Sequence, residues 1–351
     1  MSGLKQPVLG VVATLFVLAA SLGFVSLFDF PTFGGWVTYL MICVIPMQIV
    51  TAVTWGTNQP RFAAKQRQPL KGLLLTAVSL VTGAIVAVAY LAIAGGNVTP
   101  PTPMLSHAII VSVIVTFWGA IMFGGWPFKA LFKNDAVAGV TLLVCCYAVN
   151  YLLFRLFFDY GFMQGAPVYV ASLDPHGMFN ALSALVFYVT CLSIMFLVLN
   201  FDLWPLTRFP VVMKQPVLGI VWTVICLGFG AAAFWIGTGP MQMDVMVFMV
   251  TVPIPFIFGS IIVLNMFQNS LISKLAQPAK GVVNALLVVV IGGVLAQFYR
   301  ALAPRITGAL HSGPPGYEME IWLASALLAV TFPFLIFFAE FFRFWPASKS
   351  E

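Results

Sequence analysis

The chain has very little charge. Only 16 of its 351 residues are Lys or Arg and 10 are Asp or Glu, which together make 7% of the sequence. Soluble domains carry about a quarter charged residues, because water must wet their surface. With 61% hydrophobic residues, the composition excludes a soluble globular protein and predicts an integral membrane protein whose exterior is solvated by lipid.

The sequence also lacks the common catalytic motifs. It contains no G-x-S-x-G, H-E-x-x-H, C-x-x-C or Walker A pattern. The five cysteines all fall in apolar runs, where a thiol is usually a small apolar filler, and no disulfide is predicted. No histidine lies near the middle of a predicted span, which argues against haem ligation across the membrane. We therefore expect no enzymatic activity and no cofactor.

Long apolar runs are abundant. A helix needs about 20 apolar residues to cross the bilayer core, and helices satisfy every backbone amide within lipid. The fold class predicted is an all-α polytopic membrane protein, with residues 1–351 as a single transmembrane domain. Its ten predicted spans are residues 7–28, 35–55, 70–94, 106–124, 136–158, 177–200, 216–237, 244–267, 281–303 and 319–342.

The basic residues are divided unevenly between the two sets of loops. Arg155, Arg300 and Arg305 lie on one side, and the other thirteen lie on the side of the N-terminus. These thirteen are Lys5, Arg61, Lys65, Arg67, Lys71, Lys129, Lys133, Arg208, Lys214, Lys274, Lys280, Arg343 and Lys349. The positive-inside rule then predicts a multi-pass protein of the inner membrane with both termini cytoplasmic. Anionic headgroups beside these loops account for the net charge of +6, so no nucleic-acid partner is expected.

One phrase occurs twice. "LKQPVLGVVATL" at 4–15 returns as "MKQPVLGIVWTV" at 213–224, an offset of 209 residues. Matches without a gap continue at that offset, so residues 4–98 repeat as 213–307. An even number of spans separates the two copies, and they are therefore predicted to have the same orientation in the membrane.

A smaller unit lies within this repeat. The pattern Q-P-x-x-G begins spans one, three, seven and nine, and span five begins with the degraded form Asp135 to Gly139. Trp-Pro pairs follow several even spans, at headgroup depth. We interpret the chain as five parallel helical hairpins, at about 6–60, 68–128, 135–206, 215–269 and 277–346.

The motif residues themselves have a structural interpretation. Proline at the first helical position loses no hydrogen bond, the preceding glutamine can accept from a free amide, and the glycine permits close helix contact. These predicted helix starts are Gln6, Pro7, Gln68, Pro69, Gln215, Pro216, Gln277 and Pro278.

Five parallel hairpins are most simply arranged as a ring about a pseudo-fivefold axis. We expect the odd spans inside, because they carry more small and polar residues, and the phenylalanine-rich even spans facing lipid. This layout resembles the five-hairpin ring of the bacterial tellurite-resistance and plant slow anion channel family. The resemblance covers layout alone: span nine reads "GVVNALLVVVIGG" where that family has an aromatic-rich stretch with a gating phenylalanine. It implies no gate residue here.

Polar groups within lipid are costly and are the first candidates for function. Arg155 and Arg300 occupy similar depths near the outer ends of two odd spans, where guanidinium groups could attract anions into a vestibule. Each arginine could instead extend to lipid phosphate or pair with an acid such as Asp159. Asn150, Asn284 and Gln297 could line a path, although a buried asparagine more often bonds a neighbouring helix.

Three histidines, His107, His176 and His311, are predicted on the outer side near Asp174, Glu318 and Glu320. Imidazole with carboxylate suits zinc, and nearby Met104 and Met178 would suit copper(I). No two histidines share a helix at metal-binding spacing, so solvated loop histidines remain the favoured interpretation.

Two functions are compatible with these features. The first is a channel or carrier for a small solute, with an anion among the candidates. The second is a non-catalytic membrane subunit that anchors or assembles a partner complex. The lipid bilayer is the expected surrounding in both cases, and the large aromatic surface also suits a homo-oligomer.

Overall fold

Ten long apolar helices form the fold in the computed structural model, which describes residues 4–272 and 274–348. Lys349, one of the basic residues used to predict orientation, lies outside these residues. We number the long helices α1 to α10. They span Val8–Val25, Phe30–Thr54, Leu70–Ile93, Pro103–Met122, Asp135–Phe157, Ala181–Asn200, Val217–Thr238, Val245–Met266, Ala279–Thr307 and Glu318–Phe341.

The connections are short and contain little regular structure. Two short helices, Arg61–Ala64 and Phe128–Leu131, lie between α2 and α3 and between α4 and α5. The longer segment before α6 contains two parallel two-residue strands, β1 (Phe158–Asp159) and β2 (Phe179–Asn180). The predicted ten-helix fold class is confirmed at this level.

Even- and odd-numbered helices differ in regularity. The odd-numbered helices are α-helical from end to end, whereas α2, α4, α8 and α10 each end in a five-residue π-helical turn. These turns are Val50–Thr54, Trp118–Met122, Ile262–Met266 and Phe337–Phe341. α2 and α10 each contain a second π-helical stretch, Phe33–Val37 and Ser325–Thr331. Wide turns of this type are rare and frequently occur at functional sites.

The two sets of helices also differ in burial, and the difference is the opposite of the one predicted. In the even-numbered helices 56% to 78% of the most apolar stretch is buried within the protein, against 28% to 39% in the odd-numbered helices. The prediction that the odd spans lie inside is therefore wrong.

The reason lies in how small and aromatic residues are used. Glycines of the odd-numbered helices allow an even-numbered helix to approach. A Cβ at Gly83 would lie 2.9 Å from the Val44 Cα, and one at Gly292 would collide with the Pro255 carbonyl oxygen. Phenylalanines of the even-numbered helices, such as Phe258 and Phe332, are buried within the protein rather than facing lipid. Small residues here mark close helix contact, which occurs as readily at the periphery as at the centre.

The helices contact one another in a regular order. Among the even-numbered helices, α2 packs on α4, α4 on α6, α6 on α8, α8 on α10 and α10 on α2. Each odd-numbered helix packs on at least two of them: α3 on α2 and α10, α5 on α4 and α2, α7 on α6 and α4, α9 on α8, α10 and α6, and α1 on α10 and α8. Leu4 N donates to the Ala347 carbonyl at 3.0 Å, so the two ends of the described chain meet.

The Gln-Pro motifs connect these helices at one end of the protein. Each helix begins one residue after the proline, which acts as its cap residue rather than its first helical residue. The glutamine Oε1 accepts from the glycine amide four residues later, at 3.0 to 3.3 Å in all four motifs. Its amide nitrogen donates to a group at the end of an even-numbered helix: the carbonyls of Met266, Phe341 and Met122, and the Asp202 carboxylate.

Candidate functional site

The centre of the protein contains an apolar cavity of about 40 Å³. All five even-numbered helices contribute to its lining. The lining residues are Ile42, Ile45, Ile110, Val113, Ile114, Phe117, Val189, Leu192, Ile257, Leu328 and Phe332. An apolar space of this size holds no polar partner for water and is expected to stay dry.

A second, larger space lies beside it, at the C-terminal ends of the even-numbered helices. Its volume is about 480 Å³, and the same five helices line it. We call this space the vestibule. Its polar lining residues are Asp202, Asn265, Asn269 and Glu340.

Two phenylalanines line both spaces. Phe117 and Phe332 belong to the lining of the apolar cavity and of the vestibule. Their ring centroids are 5.8 Å apart in an edge-to-face arrangement, and Phe117 makes a similar contact with Phe196 at 5.6 Å. These are favourable geometries for aromatic pairs. The rings therefore lie where the two spaces adjoin.

The local helix geometry positions these rings. Phe117 is the last α-helical residue before the π-helical turn of α4. Phe332 follows the π-helical stretch Ser325–Thr331 of α10. A π-helical turn contains an extra residue and rotates the side chains on either side of it relative to a regular α-helix. Both rings thus lie where a helix changes its winding.

The two acidic groups of the vestibule differ in their partners. Lys280 Nζ lies 2.6 Å from Asp202 Oδ2, and Gln277 Nε2 donates to the same oxygen at 2.9 Å. Glu340 Oε1 accepts from Asn265 Nδ2 at 3.0 Å. Among the described residues, no cationic side chain lies within ion-pair distance of Glu340. Glu340 is therefore the one lining charge that lacks a protein counter-ion in the described structure.

The asparagines predicted from sequence bond neighbouring helices. Asn150 is buried and donates to the Tyr90 hydroxyl at 2.7 Å, which connects α5 to α3. Asn284 is buried and donates to the Asn200 carbonyl at 3.3 Å, which connects α9 to α6. Neither lines the apolar cavity or the vestibule.

The remaining predicted lining residues also lie on odd-numbered helices. Arg155 and Gln297 are exposed, and Arg300 is half-buried. None of the three belongs to the lining of the apolar cavity or the vestibule. The two arginines lie on separate helices, α5 and α9, which do not pack on each other directly.

The three histidines have separate surroundings. His107 Nδ1 lies 3.0 Å from the Tyr160 hydroxyl, and exposed His311 Nδ1 lies 3.0 Å from Glu318 Oε2. His176 is grouped with Asp159 and Asp174, whose ligand atoms lie within 4.8 Å of one another and of the imidazole. Both Asp174 oxygens already accept hydrogen bonds, from the amides of Tyr160 and His176 and from the Tyr169 hydroxyl. This is the geometry of a carboxylate that holds a loop together.

Sequence reasoning did not identify Phe117, Phe332 or Glu340. A phenylalanine within a phenylalanine-rich span carries no signal of its own. Glu340 did carry one, because it is an acidic residue within a run otherwise read as membrane-spanning, and such residues are functional candidates by default.

No protein-family model, curated protein or solved structure matches the chain.

Proposed function

We propose that the chain is an inner-membrane channel or carrier for a small solute, built as a pseudo-fivefold ring of five helical hairpins with both termini in the cytoplasm. The even-numbered helices surround the path and the odd-numbered helices fill the grooves behind them. The observation that carries the proposal is a cavity lined by one helix from each of the five hairpins.

Equivalent contacts at five helix starts support the repeat. The glycine of each Q-P-x-x-G motif, and its counterpart Gly139 in α5, lies against an aromatic ring that follows an even-numbered helix. The pairs are Gly10 with Phe267, Gly72 with Phe342, Gly139 with Trp55, Gly219 with Phe123 and Gly281 with Phe201. If the ten helices are counted as a closed circle in which α10 precedes α1, the even-numbered helix of every pair lies three positions before the odd-numbered helix. A fivefold arrangement of one copied unit accounts for this regularity.

The positions of the chain ends and basic loops support the proposed orientation. The vestibule, the Gln-Pro motifs and the basic loops that include Arg61 and Lys129 all belong to the end of the protein where even-numbered helices finish. The positive-inside rule assigns that end to the cytoplasm. The vestibule is then the cytoplasmic mouth of the path.

In the proposed path, Phe117 and Phe332 form an apolar barrier that controls flow. A narrow apolar segment excludes water and so raises the free energy of a polar or charged solute within it. Rotation of Phe117 or Phe332 would connect the vestibule to the apolar cavity. The π-helical geometry beside both residues supplies positions at which a helix can change its winding locally.

Flux in liposomes tests the proposal. We expect purified protein to pass at least one small ion or neutral solute, and Phe117→Ala with Phe332→Ala to raise its rate. A barrier lowered by about 1.4 kcal/mol gives about tenfold. Phe229→Ala, a lipid-facing change on α7, is the matched control and should leave the rate unchanged. Liposomes that stay tight to ions and neutral solutes, even with the double variant, would rule out the channel or carrier.

The second function, a membrane subunit for a partner complex, predicts a different outcome. Such a protein would purify with a fixed companion and show no flux by itself. The closed order of helix contacts satisfies the central helices without a partner, which favours the first proposal.

A further inference from the structure

The charges that line the vestibule point to a cation. We infer that Glu340 makes the vestibule a binding site for small cations and sets the charge preference of the path. This inference rests on the proposed channel or carrier function and names its substrate class. Its physical basis is the difference between two acidic residues that line one space.

Asp202 contributes little net charge to the vestibule. Its carboxylate is 2.6 Å from Lys280 Nζ and also accepts from Gln277. An ion pair at this distance cancels most of the field that either partner would produce further away. A solute in the vestibule therefore meets Asp202 and Lys280 as a dipole.

Glu340 contributes an uncompensated negative charge. Its Oε1 accepts from the neutral Asn265 amide, and Oε2 has no hydrogen-bond partner among residues 4–272 and 274–348. The side chain is half-buried and belongs to the vestibule lining. A carboxylate with one free oxygen in a water-filled space attracts cations and repels anions. Carboxylates that line pores select cations by the same physics.

The other lining groups suit the same ligand. Asn265 and Asn269 also line the vestibule, and the Asn269 Oδ1 is buried without a hydrogen-bond partner in the described structure. Carboxylate and amide oxygens are the ligands that small hard cations prefer. Arg343, three residues after Glu340, is exposed and does not line the vestibule. Basic residues of the loops at this end of the protein act through solvent, where fields decay over about 8 Å at physiological ionic strength.

Ion selectivity in reconstituted liposomes tests the inference. With a KCl gradient, we expect the wild-type protein to favour potassium over chloride and Glu340→Gln to lower that ratio at least threefold. Asp135→Asn is the matched control. It removes one negative charge at the same end of the protein, from an exposed side chain at the start of α5, and should leave the ratio unchanged. A preference for chloride, or a ratio that Glu340→Gln does not alter, would overturn the inference and leave the channel proposal standing.

Chemical modification of a cysteine tests the cation site separately from the channel or carrier proposal, because it does not require solute flux. Val53 lines the vestibule and is partly exposed, so Val53→Cys can react with methanethiosulfonates that carry a trimethylammonium or a sulfonate group. Cys145, which is half-buried, is first replaced by alanine. In water, a unit charge about 6 Å from a reacting thiol would change each rate about threefold, in opposite directions, and so the ratio of the two rates about tenfold.

We expect Glu340→Gln to lower the cationic-to-anionic rate ratio by about that factor, and Asp135→Asn to leave it unchanged. An unchanged ratio after Glu340→Gln would refute the cation site. If the ratio falls but liposomes show no flux, the cation site holds and the channel proposal fails.

Discussion

The even- and odd-numbered helices are similarly apolar but differ in burial and in the regularity of their winding. Both sets cross the membrane with similar apolar composition. The odd-numbered helices are regular and largely exposed, and four of them are capped by Gln-Pro motifs. The even-numbered helices are buried, and four of them, all except α6, contain π-helical turns. Regular helices suit a position that faces lipid. Lipid offers no hydrogen-bond partners, and a regular helix satisfies its own backbone amides and carbonyls. Irregular winding occurs where protein surrounds the helix, and here it occurs beside the cavity.

The largest expected effect is on the free energy of unfolding, and it separates a buried phenylalanine from an exposed one. Phe258 on α8 is 0% exposed and Phe229 on α7 is 65% exposed. We expect Phe258→Ala to lower the free energy of unfolding by about 3–5 kcal/mol, because it leaves a cavity among packed helices. Phe229→Ala should change it by less than about 0.5 kcal/mol. Titration with SDS in mixed micelles, followed by circular dichroism, measures both. Equal losses would remove the distinction between central and peripheral helices.

Two adjacent glycines sharpen the comparison within one peripheral helix. A Cβ at Gly292 would collide with the backbone of Pro255 on α8, whereas one at Gly293 would meet nothing within 4 Å. We expect Gly292→Ala to destabilise the protein by about 1–3 kcal/mol through forced separation of α8 and α9. Gly293→Ala should be neutral or slightly stabilising, since alanine favours helix by up to about 1 kcal/mol. Thermal denaturation monitored by size-exclusion chromatography compares them, and the opposite ranking would mean that α9 faces α8 differently.

The Gln-Pro motifs should give a loss of stability within the range expected for Gly292→Ala. Gln68 bonds the Gly72 amide and the Phe341 carbonyl, which connects α3 to the end of α10. Exposed Gln66 bonds only the nearby Phe62 carbonyl. Because each lost hydrogen bond costs about 1 kcal/mol, Gln68→Leu should cost about 2 kcal/mol and Gln66→Leu close to nothing. The same SDS titration measures the stability of both variants. A negligible loss of stability for Gln68→Leu would show that the motif does not hold the two helices together.

The sequence predicted the number and extent of the helices because lipid leaves a strong signal. Each span needs a continuous apolar run, and the largest error at a boundary was the start of α2, expected at residue 35 and found at Phe30. The arrangement of the helices left a weaker signal. Glycine and asparagine indicate contact with some helix, but they do not say whether that contact lies at the centre or at the rim, as Gly292 and Asn284 demonstrate.

The candidate site was harder to predict for a related reason. In a soluble protein, polarity distinguishes a site from its core. In this chain the path is apolar, so Phe117 and Phe332 look like any other membrane residues until the five helices bring them together. The polar residues that the sequence did highlight, such as Arg155 and Asn150, belong to the peripheral helices.

The most direct test of the central arrangement compares two sites at similar depth with electron paramagnetic resonance. Ala52 lies two residues before the end of α2 in the vestibule lining, and Leu73 lies three residues after the start of exposed α3. A spin label at Ala52 should be relaxed by a water-soluble nickel complex and little by oxygen, and a label at Leu73 should show the reverse. If the Ala52 label is relaxed by oxygen alone, the even-numbered helices do not enclose a water-filled vestibule.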